Sequence, residues 1–404
     1  MGGELSIVNE VLFEKWVYGG DALARHEGVV VLAPYALPGE RARVSAGPIR
    51  SGLLRASILD VLEPAAERTP PACPHFTRCG GCHYQHAAYE HQLRLKVEIL
   101  REVLRRIGKF DGPERIEVIA GEPYHYRNRI QLHIGGRRLG FHAAGSHDVV
   151  SVQSCPVASP RLNQAIAGFR ERLGHRRFPQ FLRSLEIFTN EETVQLNVLD
   201  AGPRRIARPF FDWCAEFLPG AAEPFLDYSA AGFAFRVGHK SFFQVNRFLV
   251  DRLVEAVLEN ASGRRALDLY AGVGLFTLPL GPRFEQVTAV ESVKGAVADL
   301  DCNARRAGVR IDIRCQRAED FLHALPEPYD WCIADPPRSG LGRAVSQRLV
   351  GLRIPRLVLV SCDPSTLARD LSDLIGIYEI ESIQLIDLFP QTSHIETITR
   401  LRLR

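Results

Sequence analysis

The sequence has no uninterrupted apolar run of about 18 residues or more, so it offers no helix able to span a bilayer. The N-terminus also lacks the basic-then-apolar pattern of an export signal, and a cytoplasmic location is expected. Excess charge is missing too. Fifty Lys and Arg against 47 Asp and Glu leave a net charge of +3, too little for a polycation that coats nucleic acid by charge alone. Most of the positive charge is arginine, whose planar fork suits phosphate, so a locally basic face stays open. There is no internal repeat and no low-complexity tract. What remains is an ordinary globular composition over 404 residues, 46% hydrophobic and 24% charged, with room for two or three domains. A monomer with no membrane partner is expected.

The most informative segment is Leu359-Val360-Ser361-Cys362-Asp363-Pro364. An apolar run that stops at Ser-Cys-Asp-Pro reads as a buried strand with the cysteine exposed at its C-terminal end, where open α/β sheets keep their chemistry. By itself Cys362 could be a small core residue. A nearby proton acceptor favours a nucleophile, and His394-Ile395-Glu396 supplies one. A strand period of two would place its imidazole and carboxylate on one face.

Upstream, Ala266-Leu267-Asp268-Leu269-Tyr270-Ala271-Gly272-Val273-Gly274-Leu275-Phe276-Thr277 reads as strand, glycine turn and helix start, the opening of a nucleotide-binding βαβ unit. Thr277 stands where a dinucleotide fingerprint has its third glycine, and Asp268 precedes the turn, as in S-adenosylmethionine sites. Gln286-Val287-Thr288-Ala289-Val290-Glu291 is a second strand, ending in an acid able to accept both ribose hydroxyls. An NAD site would place an acid there as well. Trp331-Cys332-Ile333-Ala334 then runs into Asp335-Pro336-Pro337-Arg338, where two prolines stiffen a loop that aims Asp335 across the sheet top. A plain strand-ending turn would look the same. Adenine and cytosine amino-methyltransferases follow such an Asp-Pro-Pro with an aromatic that stacks the base, and Arg338 occupies that place here.

Together these segments resemble the RNA uridine-5 methyltransferases. Ser241-Phe242-Phe243-Gln244-Val245-Asn246 is similar to the motif that opens that family's catalytic domain. The turn from Asp268 to Gly274 is similar to its S-adenosylmethionine loop, and Asp335-Pro336-Pro337-Arg338 to its third motif. Ser361-Cys362-Asp363-Pro364 resembles the nucleophile motif and His394-Ile395-Glu396 the family's His-x-Glu. Ala271 replaces a cysteine often found in the glycine loop, and Leu275 a frequent polar residue. The resemblance implies Cys362 as nucleophile and Glu396 as base. It implies S-adenosylmethionine as cofactor, with Gln244, Tyr270, Gly272, Glu291 and Asp335 as binding residues, Asp335 also meeting the uracil edge.

Nine cysteines are unevenly placed, three of them in Cys73-Pro74-His75-Phe76-Thr77-Arg78-Cys79-Gly80-Gly81-Cys82. In a reducing cytosol a metal is the leading explanation. The C-x(5)-C-x(2)-C spacing fits zinc ribbons poorly and suits three thiolates on an iron–sulfur cube, with Cys155 a candidate fourth ligand. A zinc site using His75, His83 or His86 stays open on spacing alone. The methyltransferase family has a branch with a 4Fe–4S cluster held by three clustered cysteines and one distant. That resemblance implies Cys73, Cys79, Cys82 and Cys155 as its ligands. Cys214, Cys302, Cys315 and Cys332 read as structural.

Residues 5 to 63 read as short strands punctuated by Gly and Pro, a small barrel. Gly19-Gly20-Asp21 through Leu37-Pro38-Gly39-Glu40 resembles a TRAM domain, an RNA-binding barrel of OB type, with Arg41, Arg43, Arg50 and Arg55 able to face phosphates or solvent alike. Pro64 to Pro71 is a linker. Ala87 to Ile107 has helical spacing, with Leu93, Val97, Leu100 and Leu104 on one stripe. Tyr124-His125-Tyr126-Arg127-Asn128-Arg129 suits unstacked bases or a strand edge equally.

The expected architecture is therefore α/β: residues 1–66 a TRAM barrel, 67–235 a central α+β domain with the iron–sulfur cluster and an RNA surface, and 236–404 a Rossmann-like methyltransferase domain. The expected substrate is structured RNA, with 23S ribosomal RNA implied by barrel plus cluster and transfer RNA the alternative. A radical methylthiotransferase would need C-x(3)-C-x(2)-C, and an RNA-binding redox sensor would have no use for Cys362 together with Glu396.

Overall fold

Alternating burial along the first strands closes a barrel. In the computed structural model, β1 (Ser6–Trp16), β2 (Asp21–His26), β3 (Val29–Pro34), β4 (Arg41–Ala46) and β5 (Leu53–Glu63) join in the order β1-β2-β3-β5-β4. Val11 and Phe13 point inward while Leu12 between them is exposed, the period of two expected of a strand with one wet face. The structure describes residues 6–47, 49, 51–324 and 328–404. These fall into two compact units, one of Met1–Glu102, His142–Val150 and Phe389–His394, the other of Val103–Phe141, Ser151–Leu388 and Ile395–Arg404. None of the described helices is long and apolar enough to cross a membrane.

In the first unit the barrel is consistent with the OB-type expectation. Its described arginines stay exposed and each has a surface carboxylate beside it. Arg41 pairs with Glu63 at 3.3 Å, Arg55 with Asp21 at 3.0 Å, and Arg43 with Asp60, while Arg50 lies outside the described residues. Trp16 stacks on Tyr84 with ring centroids 3.8 Å apart and planes 7° from parallel, and its Nε1 donates to the Ala36 carbonyl at 2.7 Å. Helix α1 (Tyr89–Val103) begins where helical spacing predicts, but its buried residues are Gln92, Leu95, Lys96, Ile99 and Leu100. Leu93 and Val97 are only half-buried. Leu100 and Leu104 of the expected stripe are fully buried, while nearer the start of the helix Gln92 and Lys96 take the inside places, where they have hydrogen-bond partners.

The second unit is built on an eight-stranded sheet. Before it come β6 (Glu117–Ile119), β7 (Arg129–Gly135), β8 (Arg138–His142), β9 (Val149–Ser151), α2 (Pro160–Arg172), β10 (Ser184–Thr189), β11 (Val194–Asp200), α3 (Arg208–Ala215), β12 (Phe225–Ala230) and β13 (Phe233–Gly238). Strands β7 to β11 form an antiparallel-rich sheet in the order β11-β10-β7-β8-β9, and β12 pairs with β13. The remaining elements alternate: α4 (Val250–Val257), β14 (Gly263–Leu269), α5 (Thr277–Leu280), β15 (Phe284–Glu291), α6 (Lys294–Ala307), β16 (Asp312–Cys315), α7 (Ala318–His323), β17 (Trp331–Ala334), α8 (Gly342–Leu352), β18 (Arg356–Ser361), α9 (Pro364–Leu374), β19 (Tyr378–Ile386) and β20 (Glu396–Leu403). The sheet runs β16-β15-β14-β17-β18-β20-β19-β6. Its inner strands read as continuous apolar runs because they are covered on both faces: Trp331 to Ala334 and Leu357 to Ser361 are all buried. The strand order reverses between β14 and β17, and crevices at such reversals are where doubly wound sheets take ligands.

One buried acid ties the barrel to the segment after it. Glu40 is fully buried and accepts from Leu37 N at 2.8 Å, Ala65 N at 3.2 Å and Arg68 Nη2 at 2.7 Å. Burial alone would raise its carboxyl, but the Arg68 and backbone hydrogen bonds outweigh it and hold it below the usual 4.5. A depressed acid contributes stability above its unfolded value and loses it as pH falls through the folded one. Glu40→Gln is expected to lower unfolding free energy by about 2 kcal/mol at neutral pH, with the deficit shrinking in acid. Urea melts of the full chain across pH check this, and a pH-independent deficit would point to steric damage instead.

Candidate active site

Cys362 follows directly on β18, and the next residue starts a helix. Asp363 caps α9 by accepting from Ser365 N at 2.8 Å and Thr366 N at 3.0 Å, with Pro364 in the first helical turn. The cysteine is thus pinned between a buried strand and a capped helix, and is half-buried. Strand β20 lies antiparallel to β18 with Ser361 opposite Thr397, so one further step sets Cys362 opposite Glu396. Glu396 is buried at the first position of β20. His394 differs from expectation. The strand begins only at Glu396, so the His-x-Glu pairing on one strand face does not form. The His394 ring instead packs edge-on to Phe389 at 5.2 Å in the first unit.

Asp335 follows β17, the neighbour of β18, and its charge, like that of Glu396, acts on the Cys362 thiol. Burial pushes the Cys362 thiol up to about 12; Glu396 and Asp335 add to the rise and Arg338 opposes it. Burial also raises the Glu396 carboxyl well above its ordinary value, with Asp335 reinforcing and Arg338 opposing. Asp335 keeps an opening to solvent, yet the protein enclosing it pushes its carboxyl up to about 7. Arg338 is thus a cation whose charge acts on both the Cys362 thiol and the Glu396 carboxyl, which its place after Pro-Pro does not announce.

Around the reversal point, Gly272 N donates to Glu291 Oε2 at 3.0 Å, and Glu291 Oε1 accepts from Val293 N at 2.7 Å. The acid ending β15 therefore braces the glycine turn. Tyr270 and both glycines have positive φ. A Cβ on Gly272 would meet nothing within 4 Å, leaving open space above the turn, whereas one on Gly274 would fall 2.5 Å from Leu300 Cδ1. Asp268 is fully buried; its Oδ2 accepts from Thr277 Oγ1 at 2.5 Å, while Oδ1 has no hydrogen-bond partner among the described residues. Burial pushes this acid up to about 7, with the Thr277 bond opposing. An orphaned buried acceptor beside an open glycine turn fits a polar, positively charged ligand such as S-adenosylmethionine.

Gln244 is buried and held from behind: Asn128 Nδ2 donates to its carbonyl at 3.0 Å and to Tyr228 Oη at 3.1 Å. Asn128 was hidden in the aromatic and arginine stretch, where Tyr126 is also fully buried. Arg129 in the same stretch pairs with Glu186 at 3.2 Å and lies over the Phe188 ring at 4.2 Å. Tyr126, Asn128 and Arg129 are thus engaged within the protein, and of the stretch only Arg129 belongs to a strand, β7.

The cysteine loop belongs to the first unit. Cys73 N donates to Gln85 Oε1 at 3.0 Å, Cys79 N to the His75 carbonyl at 2.9 Å, and Cys79 bridges to Ala143. Burial and the nearby Cys79, Asp21 and Cys82 push the Tyr35 hydroxyl up. No disulfide joins any of the nine cysteines, so the donor chemistry fits a thiolate-held group. Among the described residues, however, no three His, Cys, Asp or Glu side chains are gathered as a metal site. Cys155 lies in the second unit, its backbone N donating to Asn163 Oδ1 at 2.7 Å. Of the other cysteines, Cys214 and Cys332 are buried, while Cys315 is exposed.

A model of the tRNA (uracil-5-)-methyltransferase family matches residues 223–403. The chain is 35% identical to the 23S rRNA (uracil(1939)-C(5))-methyltransferase of Chromohalobacter salexigens over 96% of its length and 88% of that protein's. It is 32% identical to an uncharacterized RNA methyltransferase of Aquifex aeolicus over 97% of both chains. Among solved structures, the Pyrococcus abyssi tRNA (uracil-54, C5)-methyltransferase in complex with S-adenosyl-L-homocysteine superposes with a TM-score of 0.74 at 23% identity, covering 97% of this chain and 100% of that one.

Proposed function

This chain belongs to the RNA uracil-5-methyltransferase family, and we propose that it methylates a uridine of 23S ribosomal RNA through a covalent adduct between Cys362 and carbon 6 of the base. One observation supports the mechanism: Cys362 directly follows β18, Glu396 opens the antiparallel neighbour β20, and the Glu396 and Asp335 charges both act on the Cys362 thiol. S-adenosylmethionine, when bound, supplies the methyl group as a sulfonium electrophile. Gly272 and Tyr270 of the turn, Glu291 at the end of β15, and Gln244 are the residues proposed to hold it.

Carbon 5 of uracil is a weak nucleophile until carbon 6 carries an added group. Cys362 adds there as thiolate, and the resulting enolate lets carbon 5 take the methyl group, with Asp335 hydrogen-bonded to the uracil edge. In its ionised form Glu396 takes the proton from carbon 5, the released electron pair re-forms the carbon 5–carbon 6 double bond, and Cys362 leaves carbon 6 as thiolate. A thiol raised to about 12 is protonated in the resting protein, so adduct formation should accelerate as pH rises through neutrality. Reaching carbon 6 requires an unpaired or flipped uridine, for which an RNA-binding barrel is suited.

Ribosomal RNA is favoured by the relatives aligned along nearly the full length, several of which are named 23S rRNA methyltransferases. Transfer RNA is the second reading, prompted by the family's own description. Mapping 5-methyluridine in ribosomal and transfer RNA from a strain deleted for this gene should show one lost 23S position. Loss confined to transfer RNA would reverse the assignment.

The thiols of Cys73, Cys79 and Cys82, with Cys155 as the fourth donor on the sequence resemblance, are proposed to hold a 4Fe–4S cluster. Anaerobically purified protein should be brown, with absorbance around 400 nm and about four irons per chain. Colourless protein with a single zinc would overturn this.

For the chemistry itself, Cys362→Ala should abolish methylation and form no adduct. Glu396→Gln should still add and methylate, then stall, leaving a denaturation-resistant protein–RNA band that depends on S-adenosylmethionine. Normal turnover by Glu396→Gln would mean that another base operates.

A further inference from the structure

The residues from Asp387 to Ile395 connect β19 to β20 and deliver Glu396 to the site. Its start is fixed in the second unit, where Asp387 N donates to the Ile119 carbonyl at 2.9 Å and Asn246 Nδ2 to the Leu388 carbonyl at 3.2 Å, and its far end runs into β20, where Glu396 pairs with Ile386 of β19. The middle, Phe389–His394, belongs to the first unit. There Gln391 is buried and adopts a left-handed backbone with φ of 67°, a conformation that a residue with a side chain keeps only when its surroundings enforce it.

Groups from the segment after the cysteine loop and from α1 enforce it. The Gln391 carbonyl accepts from His83 N at 2.8 Å and Tyr84 N at 3.0 Å, directly after the cysteine loop. Gln92 Nε2 donates to Gln391 Oε1 at 3.0 Å, and Gln391 N donates back to Gln92 Oε1 at 3.2 Å. A primary amide can donate and accept at once, so Gln92 grips both the side chain and the backbone of Gln391. The same Nε2 reaches the Ala87 carbonyl at 2.8 Å and the Tyr84 carbonyl at 3.0 Å, which locks the amide's own orientation. One turn along α1, Lys96 Nζ donates to the Phe389 carbonyl at 3.2 Å, and His83 Nδ1 accepts from Ser393 N at 3.3 Å. Gln92 and Lys96 are both fully buried, on a helix face that amphipathicity would fill with aliphatic residues.

We infer that Gln92 is a positioning residue for proton abstraction: by holding Gln391 left-handed it fixes the short connection whose next strand residue is Glu396. The inference rests on Glu396 being the base. Nucleophile and base are then held independently. Cys362 depends on β18 and the α9 cap, while Glu396 depends also on an amide exchange within the first unit. Loss of the exchange should slow only the step that Glu396 performs, removal of the carbon 5 proton with rupture of the Cys362–carbon 6 bond.

Rapid-quench assays on the full chain, with S-adenosylmethionine and a 23S RNA transcript, separate methyl transfer into the adduct from decay of the methylated adduct. Gln92→Leu is expected to slow decay about tenfold while changing methyl transfer less than about twofold. Gln391→Gly, which removes the amide partner and frees the backbone to leave the left-handed region, should slow decay in the same direction and decides the matter if Gln92→Leu does not fold. Parallel loss of both steps, or decay at the wild-type rate in the folded variants, would overturn the inference. Glu396→Gln in the same series separates the two ideas. If it fails to trap adduct, the base assignment is at fault; if it traps while Gln92→Leu and Gln391→Gly do not, the positioning role alone falls.

Discussion

Holding Asp268 and Glu396 out of water, with Asp335 enclosed beside them, at the carboxyl edge of one sheet is the constraint on which the catalytic half of this protein depends. Carboxylates in such a place resist ionising, and each one that ionises makes its neighbours resist more. The sheet tolerates them because their backbones are tied into parallel and antiparallel ladders on both sides. Strand geometry therefore forces into proximity groups that would separate if free.

The consequence is a site short of positive charge. Arg338 acts on the thiol and on Glu396, and Asp268 retains a buried acceptor with no partner among the described residues. A cationic sulfonium ligand and a neutral, hydrogen-bonding base suit such a site better than a pyrophosphate, whose charge the acids would repel. Burial, with the same field, raises the Cys362 thiol, which disfavours its thiolate form.

Polar groups also do unusual structural duty away from the site. Glu40 closes the barrel onto Arg68, Asn128 carries Gln244, and Gln92 and Lys96 fill an interior helix face. Hydrogen bonds demand direction where aliphatic packing demands only volume. Each of these groups therefore fixes one chain segment in one place, at the expense of tolerance to substitution.

Local chemistry was legible in the sequence. Apolar runs ended by Gly, Pro or Asp announce strand ends, so the positions of Cys362, Asp335, Glu291 and Gly272 at the sheet edge followed from neighbours within a few residues, as did the barrel and the helix from Tyr89. Partnerships across the chain were not legible. The sequence set His394 and Glu396 on one strand, but β20 starts at Glu396 because its ladder with β19 begins there at Ile386. It offered Arg41, Arg43 and Arg55 to phosphate, but folding brings a carboxylate to each. It aligned Leu93, Val97, Leu100 and Leu104 as the buried stripe of α1, and Leu100 and Leu104 are buried, but Gln92 and Lys96 take the inside places beside Leu93 and Val97, with Gln92 bonded to Gln391, 299 residues away. Hydrophobic period and turn chemistry are properties of contiguous residues and survive in the bare sequence. The partner of a buried amide or acid is set by which distant segment the folded chain carries past it, and only the tertiary structure decides that.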